Sequence, residues 1–266
     1  MGKYILKRIA LAIVTIWAVA TITFFLMNLV PGGPFLSEKA ISPAATKALE
    51  AKYGLDKPMA ERYFTYISDA AHGDFGDSLK QRGRTVMDII ATKFPVSARL
   101  GGMAVVLALC VGVPLGVLAA YKRGTFIDSL FSVIATCGIA VPGFVICTLL
   151  LYVFGVKLQW LPTLGLKSAQ SYIMPVVALA AYPKSYIMRL MRSSMLDVLG
   201  QDYMRTAKAK GLSQKVSLFK HALRNAILPV ITYVGPMLAY TLTGSFVTEK
   251  IFTIPGLGGE FIKAIN

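Results

Sequence analysis

Four stretches of the chain, residues 9–30, 100–121, 129–156 and 226–248, contain no Asp, Glu, Lys or Arg. Each is long enough for a helix that crosses about 30 Å of hydrocarbon, which takes roughly 20 residues. Four such runs nearly exclude a water-soluble fold. The composition agrees, with 55% hydrophobic residues against 15% charged and a mean hydropathy of +0.62. A fifth, weaker run covers 168–183; it becomes a full span if Lys184 snorkels and the helix continues to the basic pair Arg189 and Arg192. The expectation is an all-α integral membrane protein with five visible spans.

The first run resembles a signal peptide, because Lys3, Lys7 and Arg8 precede it and Ala18-Val19-Ala20 looks like a cleavage site. The apolar stretch continues through Thr21 to Met27, beyond a short signal core, so a retained anchor fits better. Basic residues near span ends set orientation. Lys3, Lys7 and Arg8 place the N-terminus in the cytoplasm, and Lys122 and Arg123 put the next loop on that side. Lys184, Arg189, Arg192, Arg205, Lys208, Lys210, Lys215, Lys220 and Arg224, opposed by Asp197 and Asp202, do the same for the loop after the fourth span. The segment 31–96 balances nine basic with eight acidic residues and reads as external. The net charge of +15 is thus a membrane-topology signal rather than a nucleic-acid footprint.

The external segment reads as a small folded cap. Ser42 and Pro43 start a helix that runs through Leu49 to Tyr53 and closes at Gly54, and a second begins near Pro58 and carries Tyr63, Phe64, Tyr66 and Ile67. Gly73-Asp74-Phe75-Gly76-Asp77-Ser78 then reads as a tight turn. The expected organisation is 1–30 as tail and first span, 31–96 as cap, and 97–266 as the core, with a cytoplasmic loop at about 189–228.

That loop carries the second legible motif. Residues 201–211 read as a helix with lysines in its last turn, stopped by Gly211. Ser213 then caps a helix with Val216, Phe219, Leu223 and Ile227 near one face, and Pro229 leads into the fifth span. The result is a helix-turn-helix elbow on which small Ala207 and Ala209 permit close approach of another protein.

Several chemistries lack their residues. Gly165-Leu166-Lys167-Ser168 has neither the upstream glycine nor the order of a phosphate loop, so no ATP site is expected in this chain. His72 and His221 fall on opposite sides of the membrane, which leaves no metal or catalytic pair. Cys110, Cys137 and Cys147 lie in apolar runs and suggest neither a disulfide framework nor a zinc site. No carboxylate falls inside a proposed span, and Asp128 at the edge of the third is the near case; this weakens a proton- or sodium-coupled carrier. Pro114, Pro142 with Gly143, Pro175, and Pro236 with Gly235 recur near mid-span.

The chain resembles the membrane-spanning permease subunit of ATP-binding-cassette importers for dipeptides, oligopeptides and related solutes, over essentially its whole length. The resemblance is carried by Val30-Pro31-Gly32-Gly33-Pro34-Phe35, Tyr53-Gly54-Leu55-Asp56-Lys57-Pro58, residues 73–78, and Arg192-Ser193-Ser194-Met195-Leu196. Most specific are Asp202-Tyr203-Met204-Arg205-Thr206-Ala207-Lys208-Ala209-Lys210-Gly211-Leu212 and His221-Ala222-Leu223-Arg224-Asn225-Ala226-Ile227-Leu228-Pro229. It implies the transmembrane domain of a type I importer in a bacterial cell (inner) membrane, with a short helix from Tyr203 through Leu212 docking on an ATPase subunit. The residues assigned to that coupling are Tyr203, Arg205, Thr206, Ala207, Ala209, Lys210, Gly211 and Leu212. Arg205, Thr206 and Ala207 stand where the general importer pattern has Glu-Ala-Ala, so no acidic role transfers to Arg205.

The implied partners are a second, homologous permease chain, two ATP-binding subunits that hold ATP and Mg, an extracytoplasmic solute-binding protein and the bilayer. Nucleic acid is not among them. A sixth span is expected after Ile251-Phe252-Thr253-Ile254-Pro255-Gly256-Leu257-Gly258 and is missing from this chain. Two other readings stand beside the importer: an ion-coupled or facilitative carrier acting alone, and a non-transporting membrane scaffold.

Overall fold

The computed structural model describes residues 1–29, 54–81, 83–213 and 216–265, with side chains other than those of Lys208 and Ile265. The expected Ser42–Tyr53 helix and the 30–35 motif lie outside these residues. Helices dominate the described residues: α1 Gly2–Leu29, α2 Met59–Ala71, α3 Val86–Tyr121, α4 Phe126–Ala140, α5 Gly143–Leu150, α6 Ile173–Leu199, α7 Asp202–Ala209, α8 Leu223–Ala226, α9 Leu228–Leu242, α10 Phe246–Ile251 and α11 Leu257–Ile265. The chain divides into two compact units, Met1–Ile90 and Ala91–Asn266.

In the first unit α1 has no buried residue and presents apolar side chains such as Ile9, Ile13 and Ile16 all round, as expected of a helix whose solvent is lipid. It meets α2 through aromatic rings. Phe24 lies 5.5 Å from Tyr63 and 5.6 Å from Tyr66, and the Thr21 and Tyr63 hydroxyls share a 2.8 Å hydrogen bond. The expected second helix thus forms, with Pro58 at its cap, where a missing N–H costs nothing. The exposed pair of Lys57 and Glu61, 2.7 Å apart, raises the Lys57 pKa above its ordinary value through the hydrogen bond and charge of the carboxylate. The expected turn is also present. Asp74 Oδ1 accepts from the Gly76 N–H at 2.8 Å, Gly73 and Gly76 take positive φ, and an isolated bridge joins Asp77 to Thr85.

Among the described residues three helical stretches are long and apolar enough to cross a membrane: Gly2–Leu29, Val86–Tyr121 and Leu228–Ile251, the last made of α9 and α10. The second begins upstream of the expected 96/97 boundary, because Asp88, Lys93 and Arg99 interrupt the hydropathy without stopping the helix. The continuous run expected over 129–156 is instead two helices, Phe126–Ala140 and Gly143–Lys157, bent by 103°. Val141 is extended (φ −76, ψ 123) ahead of Pro142, as the proline ring demands of its predecessor, and the second helix finishes in a π-helical turn, Leu151–Lys157. The fifth expected run forms α6, whose 27 residues include Lys184, Arg189, Arg192 and Asp197 and which therefore falls outside the apolar set.

The core of the second unit is built on α6. Met174, Ile187, Met188, Met191 and Met195 are essentially inaccessible, and flexible methionines fill the gaps between helices that small residues bring close. A Cβ on Gly112 would lie 2.7 Å from the Lys184 carbonyl oxygen, and one on Gly116 2.6 Å from that of Met188. This pair of glycines four residues apart lets α3 and α6 approach backbone to backbone.

Candidate functional site

Three constructions of polar groups stand out among the described residues of the second unit. The first is the elbow. α6 ends at Leu199 and α7 starts at Asp202, so only Gly200 and Gln201 separate them. The Gln201 N–H bonds the Val198 carbonyl at 3.1 Å and the Met204 N–H bonds that of Gln201 at 3.0 Å, which makes the joint short and hydrogen-bonded. The far end of α7 stops as the sequence predicts. Gly211 has φ +74, and the Leu212 N–H reaches back to the Ala207 carbonyl at 3.3 Å, the bond that closes a Schellman cap and requires a left-handed residue before it.

Of the eight residues assigned to coupling, Tyr203, Arg205, Thr206, Ala209, Lys210, Gly211 and Leu212 are exposed on this elbow. Ala207 is not: together with Met204 it is buried, so its small side chain serves packing within the chain. Arg205 faces Asp202 at 3.5 Å, with both side chains mostly exposed, an ion pair worth little in water. The Tyr203 hydroxyl accepts from Asn225 Nδ2 at 2.8 Å and ties α7 to α8.

Half of the expected apolar face forms: Leu223 and Ile227 pack against the core, whereas Val216 and Phe219 are exposed. Residues Ser217–Ala222 are π-helical, and the wider turn rotates the register so that Ser217, Ala222 and Ala226 point inward. Phe219 is left 61% exposed, and Val216, Leu212 and Tyr203 are exposed as well. The elbow therefore presents apolar and aromatic groups among exposed Arg205, Lys210, Lys220 and Arg224.

The second construction joins α4 to α6. Asp128, 8% exposed at its side chain, receives Arg192 Nε at 2.5 Å and Nη2 at 2.8 Å, and its Oδ2 accepts the Gly124 N–H at 3.0 Å. The two-pronged guanidinium contact is geometrically specific and charge-assisted. One helical turn away, Arg189 Nη2 donates to Thr136 Oγ1 at 3.1 Å.

The third follows α9. Glu249 is 1% exposed, accepts Ser97 Oγ at 2.6 Å on Oε1 and the Gly259 N–H at 3.1 Å on Oε2, while Ser97 Oγ accepts from Leu257 N at 2.8 Å. The chain wraps tightly about this carboxylate. A Cβ on Gly244 or Gly256 would lie 2.7 or 2.6 Å from Glu249 Oε1, and one on Gly258 2.9 Å from Oε2. Sequence reasoning missed this site. Asp88, Asp128 and Glu249 all lie in end turns, where the helices extend beyond the charge-free runs. The signal that could have found Glu249 is the cluster of glycines around it in sequence.

Residues 112–266 match the family described as binding-protein-dependent transport system inner membrane component, and residues 1–101 match its N-terminal family. The chain is 46% identical over its whole length to the dipeptide transport system permease protein DppB of Bacillus subtilis (strain 168), covering 86% of that protein. It is 44% identical, again over its whole length, to the oligopeptide transport system permease protein OppB of Salmonella typhimurium, covering 88% of it. The DppB of Lactococcus lactis subsp. cremoris is 41% identical over 100% of this chain and 87% of its own. With its apolar helices and exposed elbow, the chain belongs to the inner membrane permease components of binding-protein-dependent transport systems.

Proposed function

We propose that this chain is one of two permease subunits of an ATP-driven importer of di- or oligopeptides, and that α7 is the element through which partner ATPase subunits drive it. The observation that carries the reading is the exposed elbow, Tyr203 to Leu212, capped at Gly211 and set on a two-residue joint below α6. The peptide class follows from the names of relatives similar over the entire chain.

In this mechanism two ATPase subunits bind ATP and Mg, close, and displace the α7 helix of each permease. Gly200 and Gln201 leave little slack, so the push passes into α6. The Tyr203–Asn225 hydrogen bond passes it into α8 and, through Ile227, into α9. Tipping α6 and α9 together switches the path between outward-open and inward-open, while a solute-binding protein delivers peptide at the outer face. The N-terminus is cytoplasmic in this reading, the side to which the basic loops belong.

The test is uptake of a labelled tripeptide into proteoliposomes containing the full-length permease, its partner permease, both ATPase subunits and the binding protein. ATP-dependent accumulation that is lost in Gly211→Pro, whose fixed negative φ is incompatible with +74, supports the reading. Accumulation without ATP or ATPase subunits sinks it and favours the carrier acting alone.

A further inference from the structure

Helix α6 is about 40 Å long at 1.5 Å per residue, ample for a span, yet it is too polar to be surrounded by lipid. Its polarity is concentrated on one exposed stripe: Tyr182, Tyr186, Arg189 and Ser193 recur at intervals of three and four residues and are all accessible. Tyr182 lies about 14 Å along the helix from Ile173 and Arg189 about 24 Å, which puts the tyrosines at mid-membrane depth. Tyr233 on α9 continues the stripe sideways, 4.5 Å from Tyr186 between ring centroids, and Tyr240, two turns further on α9, is 73% exposed. Tyr182 and Tyr186 stack at 6.3 Å. Among the described residues the hydroxyls of Tyr182, Tyr186 and Tyr233 have no hydrogen-bond partner.

Lipid is a poor occupant for this face, because an unpaired hydroxyl in hydrocarbon costs several kcal/mol and three stand together. Helix α1 shows what a lipid-facing surface of this protein is made of, and its exposed large side chains there are almost all apolar. Close contact with another span is equally unsuited, since such interfaces favour small side chains, like the glycines between α3 and α6, over a row of tyrosines. Water is the solvent that satisfies the stripe. Arg189 adds a charge preference. Its neighbour Arg192 is neutralised by Asp128, whereas Arg189 is exposed and holds only the Thr136 hydroxyl, beside a cleft of about 240 Å³ that both arginines line.

We propose that Tyr182, Tyr186, Arg189 and Ser193, with Tyr233 and Tyr240, form the wetted wall of the solute path, and that this wall takes a short peptide with its amides and side chains against the tyrosines and its free carboxylate on Arg189. The proposal rests on the peptide-importer reading for its ligand, and on the structure alone for its wetness. Aromatic faces and hydroxyls contact a peptide of any sequence without binding it tightly, which suits a path that must release what it admits. The guanidinium supplies the one charge-directed contact, to a group every linear peptide carries.

Two arms test this in the assembled importer. The first places Tyr186→Cys in a background with Cys110, Cys137 and Cys147 changed to Ala, and applies a charged methanethiosulfonate and a lipid-soluble maleimide to inside-out vesicles. The proposal expects the introduced thiol to react with the charged reagent, and at least threefold more slowly when trialanine and its binding protein are present. Reaction with the maleimide alone, or with neither reagent, overturns the wetted wall. The second arm compares trialanine uptake in Arg189→Gln and Arg189→Lys at saturating loaded binding protein. A loss of about tenfold or more in Arg189→Gln, recovered to within about threefold in Arg189→Lys, is the expected result. Unchanged uptake in Arg189→Gln, or equal loss in both variants, overturns the carboxylate assignment. If the unsubstituted importer takes up no trialanine while the introduced thiol still reacts with the charged reagent, the peptide reading has failed and the wetted wall has not.

Discussion

Ser97 and Glu249, 152 residues apart in sequence, are joined by a hydrogen bond of 2.6 Å in which the serine hydroxyl donates to the carboxylate. The same hydroxyl accepts the Leu257 N–H, so one side chain of α3 holds both the end of α10 and the start of α11. Three glycines, Gly244, Gly256 and Gly258, crowd the carboxylate because a Cβ at any of them would collide with it. The connection after α9 is therefore a fixed knot, secured at a point where hydropathy alone marks a helix end.

Glu249→Ala leaves the Ser97 hydroxyl and the Gly259 N–H unsatisfied and opens a void. The expected loss is about 2–4 kcal/mol, read as a fall in the thermal unfolding midpoint of the detergent-solubilised importer. Gly256→Ala forces its methyl to within 2.5 Å of Ser97 Oγ and is expected to lose a similar amount, whereas Gly259→Ala, with open space around its Cβ, is expected to change the midpoint far less.

The Asp128–Arg192 contact predicts strong non-additivity. Asp128→Asn and Arg192→Gln each strand a charged partner, while the double variant strands none. A double-mutant cycle on thermal stability is expected to return a coupling of about 1–3 kcal/mol, with Arg192→Lys intermediate because an ammonium cannot bridge both carboxylate oxygens.

Gly116→Leu drives a side chain into the Met188 carbonyl and the Met191 Cβ, and helices α3 and α6 must separate to admit it. Loss of monodisperse protein in size-exclusion chromatography is expected. Gly102→Ala, on the same helix with nothing within 4 Å of its Cβ, is the matched control and is expected to behave as the parent.

Tyr203→Phe removes the acceptor that ties α7 to α8 without disturbing the exposed face of the elbow. The expected phenotype is partial uncoupling: ATPase subunits still co-purify, and peptide imported per ATP hydrolysed falls by about twofold to fivefold, a cost near the roughly 1 kcal/mol of one hydrogen bond. Asn225→Ala is expected to match it, and equal coupling ratios in parent and variants would show that the bond carries no motion.

Much of this architecture was legible because local chemistry specifies it. Charge-free runs mark α1, α3 and α9, Pro58 marks the start of α2, and Gly211 marks the end of α7. What stayed hidden depends on register or on distant partners. Val141-Pro142 reads as an ordinary kink inside an uncharged run, yet it bends the chain by 103°. The π-helical turn at Ser217–Ala222 rotates Phe219 outward, which a 3.6-residue period cannot anticipate. Asp88, Lys93 and Arg99 mask the first turns of α3. Glu249 looked like a residue just past a span, because its serine partner lies on α3 and no sequence pattern links them.

The central claim is that the elbow meets an ATPase subunit, and site-directed cross-linking tests it most directly. A photo-activated cross-linker placed on Leu212→Cys, in the full-length permease with its native cysteines changed to Ala and expressed with its partners, is activated in membranes and the adducts are identified by mass spectrometry. Leu212 is exposed beside the Gly211 cap, so an adduct to a nucleotide-binding subunit, lost when Gly211→Pro is added, is the predicted result. Adducts lacking any nucleotide-binding subunit, in membranes that still import peptide with ATP, would contradict the account.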